Sequence, residues 1–172
     1  GYIQMTGIAS ARALVARGFK VFPIKAESKF PPLWIDWPNR STTTITPTDW
    51  PVADCNVGVH CAGLLVVDVD PRNGGNDTLL GLDLAGDSDL PATLTAVTPT
   101  GGRHLFYRLP EGHPGVPNRA NALGPGLDVK STRGYVLGVG SRVEAGEYTW
   151  HLDAPIAAAP EWLILKLGTN MP

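Results

Sequence analysis

The sequence predicts an α/β (α+β) fold, with a mixed sheet and a smaller helix-and-sheet unit built from the N-terminal segments. Segment 64–70 begins as an apolar, mostly β-branched run, long enough for a strand buried on both faces and too short for a typical helix. Segment 6–17 carries apolar residues at helical spacing and is followed by Gly18, a common helix stop. Short alternating segments between turns rich in Gly and Pro complete the pattern.

The remaining elements are predicted from strand alternation, helix capping and turn residues. Further strands are predicted at 19–24, 56–60, 93–97, 103–109, 127–130, 135–139 and 147–150, a helix start at 46–50, and helices at 76–85 and 160–167. Two hairpins are predicted, 93–97 with 103–109 and 127–130 with 135–139, because a short turn separates the members of each pair. Segment 110–126 is rich in Pro, Gly and Asn and predicts a long loop.

Charge is distributed unevenly along the 172 residues, although the net charge is only −2. Segment 49–89 contains eight acidic residues and one basic residue, whereas segment 103–142 contains six basic residues and two acidic ones. This division suits an enzyme that binds metal cations with its acidic half and phosphates with its basic half. The alternative is that the two segments form ordinary solvated faces. No apolar run approaches 18 residues, so no membrane span is predicted.

Two carboxylates, Asp68 and Asp70, close the apolar segment that begins at Leu64. On a strand, residues at i and i+2 point to the same side, so the two charges would repel each other unless a cation lay between them. Carboxylate oxygens are the ligands preferred by Mg²⁺ and Mn²⁺, which makes a divalent metal site the sharper interpretation. The plainer one is that both residues end the strand and solvate its tip.

Two later segments carry further candidate site residues. In segment 98–108, His104 follows a Gly pair at the start of an aromatic strand. In segment 126–136, a third carboxylate, Asp128, lies on a predicted strand, and Lys130 shares its side of that strand. A packed strand histidine is the alternative for His104.

The order of these motifs resembles that of the archaeo-eukaryotic primase superfamily. That superfamily has an apolar strand ending in two acidic residues, then a small-x-His motif, then an apolar-acidic motif; here they correspond to Asp68 and Asp70, to Gly102-Arg103-His104, and to Leu127-Asp128. Within it, the chain looks like the bifunctional primase/polymerase (prim-pol) domain of phage and plasmid replication proteins, over about residues 9–167. The flanking matches are segments 18–23, 134–136 and 160–163, and Lys29 with Pro31.

This resemblance implies a single prim-pol catalytic domain over residues 1–172, whose mixed sheet is of the archaeo-eukaryotic primase type. It implies DNA primase/polymerase activity on a DNA template and primer with nucleoside triphosphates. The expected setting is the cytoplasm of the host cell. We also expect the domain to be excised from a larger replication protein with a C-terminal helicase domain.

The expected chemistry is nucleotidyl transfer with two divalent ions, Mg²⁺ or Mn²⁺, that stabilise the attacking and leaving oxygens. The metal ligands are predicted to be Asp68, Asp70 and Asp128. These three carboxylates and His104 are the predicted catalytic residues. The predicted nucleotide-binding residues are His104, Lys130, Gly102, Arg103 and Lys29. For the loop 25–40 that carries Lys29, the alternative role is packing of its aromatic residues over the edge of the core.

Two other function classes remain open at this point. A carboxylate cluster alone would also permit a different metal-dependent phosphoryl-transfer enzyme, such as a nuclease. A non-catalytic DNA- or nucleotide-binding module could have kept the fold. Cys55, Cys61 and His60 lack an evident fourth ligand, so no zinc site is predicted.

Overall fold

The computed structural model describes residues 7–51, 53–84 and 89–171, which form two units. The first unit contains the described parts of 1–60 and 135–149, and the second those of 61–134 and 150–172. The described helices are α1 Gly7–Ala16, α2 Trp37–Arg40, α3 Gly75–Leu84 and α4 Glu161–Leu167. The described strands are β1 Lys20–Lys25, β2 Cys55–His60, β3 Leu64–Val69, β4 Thr95–Val97, β5 Arg103–Arg108, β6 Leu127–Lys130, β7 Tyr135–Leu137, β8 Arg142–Val143, β9 Gly146–Glu147, β10 Thr149–Leu152 and β11 Ala157–Ala158.

The first unit is built on an antiparallel sheet with the order β1-β2-β7. Helix α1 packs against β1 and β2 and ends where Gly18 adopts a positive φ of 93°. The opposite face of this sheet carries an aromatic cluster in which Phe22 stacks on Trp37 with ring centroids 4.7 Å apart. Because Gly58 has no Cβ, the Phe22 ring can lie against the backbone of β2.

His60 lies buried at the end of β2, beside this aromatic cluster. Its Nδ1 is 2.7 Å from the Ser41 hydroxyl, and its ring meets Trp37 edge to face. Burial, and then the charge of Lys20 opposite it, lower the pKa of His60 below its ordinary value. The folded protein therefore favours the neutral imidazole.

We expect the stability of the protein to fall as the pH drops through the lowered pKa of His60. An unfolded histidine has a pKa of about 6.5. Because the pKa of His60 is lower in the folded protein, the unfolded chain takes up the proton first as the pH falls. The stability that is present above the unfolded pKa is therefore lost as the pH falls through the lower, folded pKa. Denaturant unfolding at pH 7.5 and pH 5 should show a smaller loss for His60→Asn than for the wild type. Equal losses in the two proteins would contradict this assignment.

The second unit holds the larger sheet, with the order β10-β4-β5-β3-β6, and β11 runs parallel to β5 beside its last two residues. The α/β class and the mixed sheet that carries all three motifs are confirmed. Alternate residues of β3, β5 and β6 point to one face, where they form the core with α4 and with Leu79 and Leu82 of α3. The residues between them point to the other face.

One predicted hairpin is confirmed and the other is wrong. Strands β4 and β5 pair antiparallel, as predicted. Strand β6 instead pairs with β3, and its other edge is occupied by Arg119, whose backbone exchanges two hydrogen bonds with Val129. Both edges of β6 are thus filled within the second unit, and β7 pairs with β2 in the first.

Other boundaries also differ from the predictions. Where the sequence predicts a helix start, at 46–50, the structure has a single turn in which the N–H groups of Asp49 and Trp50 donate to the Thr46 carbonyl. Because Pro51 has no N–H to donate, it cannot continue the turn as a helix. The predicted strand 147–150 divides into β9 and β10. Pro160 caps α4 instead of occupying its first position. Thr6 and Ala85, at the predicted ends of two helices, lie outside the described residues. Within the described ranges, every helix is too short or too polar to cross a lipid bilayer.

Candidate active site

The three sequence motifs meet in one row across the sheet of the second unit. Asp68 of β3 pairs with His104 of β5 on one side and with Asp128 of β6 on the other. Residues directly opposite each other in antiparallel strands place their side chains on the same face. Asp68 therefore lies between an imidazole and a second carboxylate, on the face opposite the core formed with α3 and α4.

The imidazole and the central carboxylate are in direct proximity. His104 Nε2 is 3.6 Å from Asp68 Oδ2. Only 6% of the His104 side chain is exposed, compared with 29% of that of Asp68. The ring of Phe106, two residues along β5, meets the imidazole edge to face at 6.4 Å. Packing thus fixes His104, while Asp68 keeps access to solvent.

The second carboxylate of the row is fixed by the long loop that precedes β6. The backbone N–H of Asn121 donates to Asp128 Oδ1 at 2.8 Å. Asp68 and Asp128 are like charges in directly opposed positions, an arrangement that is unfavourable for a sheet unless a cation compensates it.

Asp70 occupies a different position, because β3 ends at Val69 and Asp70 caps the short 3₁₀ helix Pro71–Asn73. Its Oδ1 accepts from the Arg72 N–H at 2.9 Å, and its Oδ2 accepts from the Asn73 side chain at 2.6 Å. Burial raises the pKa of Asp70, but these hydrogen bonds and the Arg72 charge outweigh it and hold that pKa below its ordinary value. Both oxygens of Asp70 are therefore engaged, unlike the arrangement expected from strand geometry.

The predicted phosphate-binding residues are placed differently from one another. Lys130 lies two residues from Asp128 and opposite Val66, so it belongs to the same face as the row. Arg103 pairs with Val69 and belongs to the core face, where its guanidinium donates to Asn76 of α3 at 3.3 Å. Lys29 belongs to the first unit, and its carbonyl oxygen accepts from the Tyr135 hydroxyl. The structure therefore brings Lys130 to the row but not Arg103.

Close packing within the protein requires a glycine at position 102, whether or not a nucleotide binds there. A Cβ at this position would come within 2.7 Å of the Val69 carbonyl oxygen and 2.8 Å of the Thr98 hydroxyl. The Gly102 carbonyl closes the turn by accepting from the Thr98 N–H at 2.8 Å. A glycine therefore lets the turn before β5 lie against the end of β3, which brings His104 level with Asp68.

One protein-family model matches most of the chain. The model of the bifunctional DNA primase/polymerase N-terminal domain matches residues 11–162 of the 172. The chain belongs to this prim-pol family. No curated protein matches the chain.

Membership gives the row of motifs a context, since family members are primase/polymerases whose substrates are DNA and nucleotides. The matched range includes all the carboxylates of the site as well as His104 and Lys130. The predicted roles of the individual residues stay predictions.

The donor set of this prim-pol domain fits a divalent cation at Asp68 and Asp128. Within the described ranges no three His, Cys, Asp or Glu side chains converge closely enough to enclose an ion. Mg²⁺ does not need such a cage, because it ordinarily takes one or two carboxylates and completes its shell with water and substrate phosphates. The paired carboxylates could supply that share. Asp70 could join them only by exchanging its present hydrogen-bond donors.

Sequence reasoning missed the residues that orient the carboxylates, Asn73 and Asn121. The signal for Asn73 was the Asp70-Pro71 dipeptide, which is typical of a helix cap followed by proline at the first position. For Asn121 the composition of the loop indicated only turns. Nothing in the sequence pattern indicated that its N–H reaches a carboxylate seven residues further on.

Proposed function

We propose that this prim-pol domain catalyses template-directed nucleotidyl transfer, as a DNA primase and polymerase, in phage or plasmid replication. The observation that supports this most directly is the row His104–Asp68–Asp128, which joins one residue from each of three motifs across adjacent strands. A packed core on the opposite face of the same strands makes the row rigid. Such preorganisation is what a charge-stabilising site requires.

The carboxylates are proposed to hold two divalent ions, Mg²⁺ or Mn²⁺. When bound, these ions would stabilise the attacking 3′-oxygen and the leaving pyrophosphate oxygen. Asp68 and Asp128 are the primary ligands, since they are direct neighbours across two strands. Asp70 is the third ligand and must turn from Arg72 and Asn73 to serve, because both its oxygens accept hydrogen bonds from them.

The donors beside the carboxylates are proposed to bind the triphosphate. His104 lies on one side of Asp68, and Lys130 projects from β6 on the other, so the two flank the carboxylates. Imidazole and ammonium groups can donate charge-assisted hydrogen bonds to phosphate oxygens. In this arrangement the carboxylates position the metal ions while His104 and Lys130 orient the nucleotide.

A primer-extension assay tests the proposed function. The purified chain is given a labelled primer on a template with Mg²⁺ or Mn²⁺, and ribonucleotides and deoxyribonucleotides are supplied in turn. Longer products that Asp68→Ala does not make are expected. The same reactions without primer distinguish priming from elongation. Shortened primer would instead identify a nuclease, and DNA binding without any product would identify a non-catalytic module.

Replacing either His104 or Lys130 with alanine is expected to weaken nucleotide binding by about 1.5–3 kcal/mol, the range for hydrogen bonds to charged groups. This corresponds to roughly one to two decades in affinity. Calorimetric titration with a non-hydrolysable nucleotide and Mg²⁺ measures the change.

Arg108→Ala is the matched control, because Arg108 is a cation on β5 whose Nη1 instead donates to the Ile156 carbonyl. The nucleotide affinity of this variant should be within about twofold of that of the wild type. The change in binding free energy is then well below the roughly 1.4 kcal/mol that corresponds to a tenfold change in affinity. Unaltered affinity in both His104→Ala and Lys130→Ala would show that these residues have no nucleotide role.

A further inference from the structure

We infer that Asn121 is a positioning residue that orients the carboxylate of Asp128 and fixes it relative to the backbone of Asp70, the residue that carries a second predicted carboxylate ligand. This inference rests on the proposed function, because it takes these carboxylates to be metal ligands. Asn121 precedes β6 in the loop 110–126 and is not among the residues predicted to bind metal or nucleotide. Its role follows from a continuous series of hydrogen bonds.

The series begins at the carboxylate of the row. The Asn121 N–H donates to Asp128 Oδ1 at 2.8 Å, and the Asn121 side-chain oxygen accepts from the Gly126 N–H at 2.9 Å. The Gly126 carbonyl accepts from the Asp70 N–H at 2.8 Å, and the Asp70 carbonyl accepts from the Gly75 N–H at 2.8 Å. Asn121 is thus the link between the side chain of Asp128 and the backbone of Asp70.

The backbone of Asn121 is adapted to this role. Its φ of 53° lies in the left-handed region, which non-glycine residues seldom adopt and which Asn tolerates better than most. That conformation directs the N–H to Asp128 while the side chain turns to Gly126. The next two residues, Ala122 and Leu123, are buried in the core. The exposed Asn121 is therefore anchored by its neighbours in a conformation that favours few other residue types.

Groups that hydrogen-bond to metal ligands set the orientation of those ligands, and losing such a group typically reduces metal affinity or activity by about 10–100-fold. Asn121→Gly removes the whole side chain and with it the oxygen that accepts from the Gly126 N–H, but it keeps the backbone N–H and adopts a positive φ freely. Asn121→Asp keeps an acceptor oxygen for the Gly126 N–H. These two substitutions separate the link from the backbone conformation.

The test measures Mn²⁺ affinity by electron paramagnetic resonance, with Mn²⁺ alone and with a non-hydrolysable nucleoside triphosphate, at a temperature where each variant is folded. Asn121→Gly is expected to weaken Mn²⁺ binding about tenfold. Its kcat for primer extension should fall while its KM for the nucleotide stays within about twofold of the wild type, because the ligands and not the phosphate donors are disturbed. Asn121→Asp should bind Mn²⁺ at least as tightly as the wild type.

Asn118→Gly is the matched control. Asn118 lies in the same loop, and its side chain accepts from the Ser131 N–H and donates to the Thr132 carbonyl. It should bind Mn²⁺ like the wild type even if it melts earlier. A Mn²⁺ affinity of Asn121→Gly equal to that of the wild type, or an equal loss in Asn118→Gly, would overturn the inference. A wild type that binds no Mn²⁺ under either condition would overturn the proposed metal site itself, and this role with it.

Discussion

Asp128→Asn is expected to reduce primer extension by at least about a thousandfold while it leaves the fold intact. A metal-bound transition state gains several kcal/mol of charge stabilisation, and about 4 kcal/mol corresponds to a thousandfold in rate. The substituted amide keeps an oxygen that can accept from the Asn121 N–H, so this hydrogen bond can persist while the negative charge and one potential metal-ligand oxygen are lost. DNA binding should persist or tighten, because a negative charge near the phosphates is lost.

The same substitution should stabilise the metal-free protein. Asp68 and Asp128 are directly opposed like charges, and such pairs destabilise a sheet by a few tenths to about 1 kcal/mol. For a chain of this length, a gain of that size raises Tm by about 1–3 °C. Thermal melts with a chelator should show this increase, and added Mn²⁺ should stabilise the wild type more than the variant. A fall in Tm together with unchanged extension would indicate that Asp128 has a structural role only.

The sequence was sufficient to predict which strands carry the candidate site, but not how those strands align. The apolar run to Asp68, the Gly pair before His104 and the strand position of Asp128 each indicated an element locally. That Asp68 is the central member of the row depends on register, which is set by long-range pairing of β3 with β5 and β6. The two-residue spacing of Asp68 and Asp70 indicated a shared side, whereas the strand ends before Asp70.

The wrong hairpin has a related cause. A short turn between two strand-like segments predicts local pairing, and the turn does exist, since the Gly134 N–H donates to the Ser131 carbonyl. The local pattern does not show that the edges of β6 are occupied by β3, which is distant in sequence, and by Arg119 of the preceding loop. Similarly, Arg103 has the charge of a phosphate ligand, but its place in the alternation of β5 puts it on the core face.

Two glycines of α3 are expected to respond in opposite directions to the same substitution. At Gly75 a Cβ would come within 2.5 Å of the Gly126 carbonyl oxygen and within 2.7 Å of the Asp70 carbonyl oxygen. These are backbone atoms that cannot rotate away, so Gly75→Ala should cost about 3 kcal/mol, the upper part of the range for overpacking. At Gly81 a Cβ would meet nothing within 4 Å. Gly81→Ala should therefore stabilise the helix by about 0.5–1 kcal/mol.

Thermal unfolding of the two variants measures the contrast, with Tm expected to fall by about 6–12 °C for Gly75→Ala and to rise by about 1–4 °C for Gly81→Ala. Both substitutions replace a glycine of the same helix with alanine and therefore change helix propensity in the same direction. The difference between their changes in Tm isolates the contact of residue 75 with Asp70 and Gly126. Because the Gly75 N–H donates to the Asp70 carbonyl, Gly75→Ala should also displace Asp70 and lower primer extension in the folded protein. Changes in Tm of the same sign in both variants would mean that helix propensity, and not this close backbone contact, determines the residue at position 75.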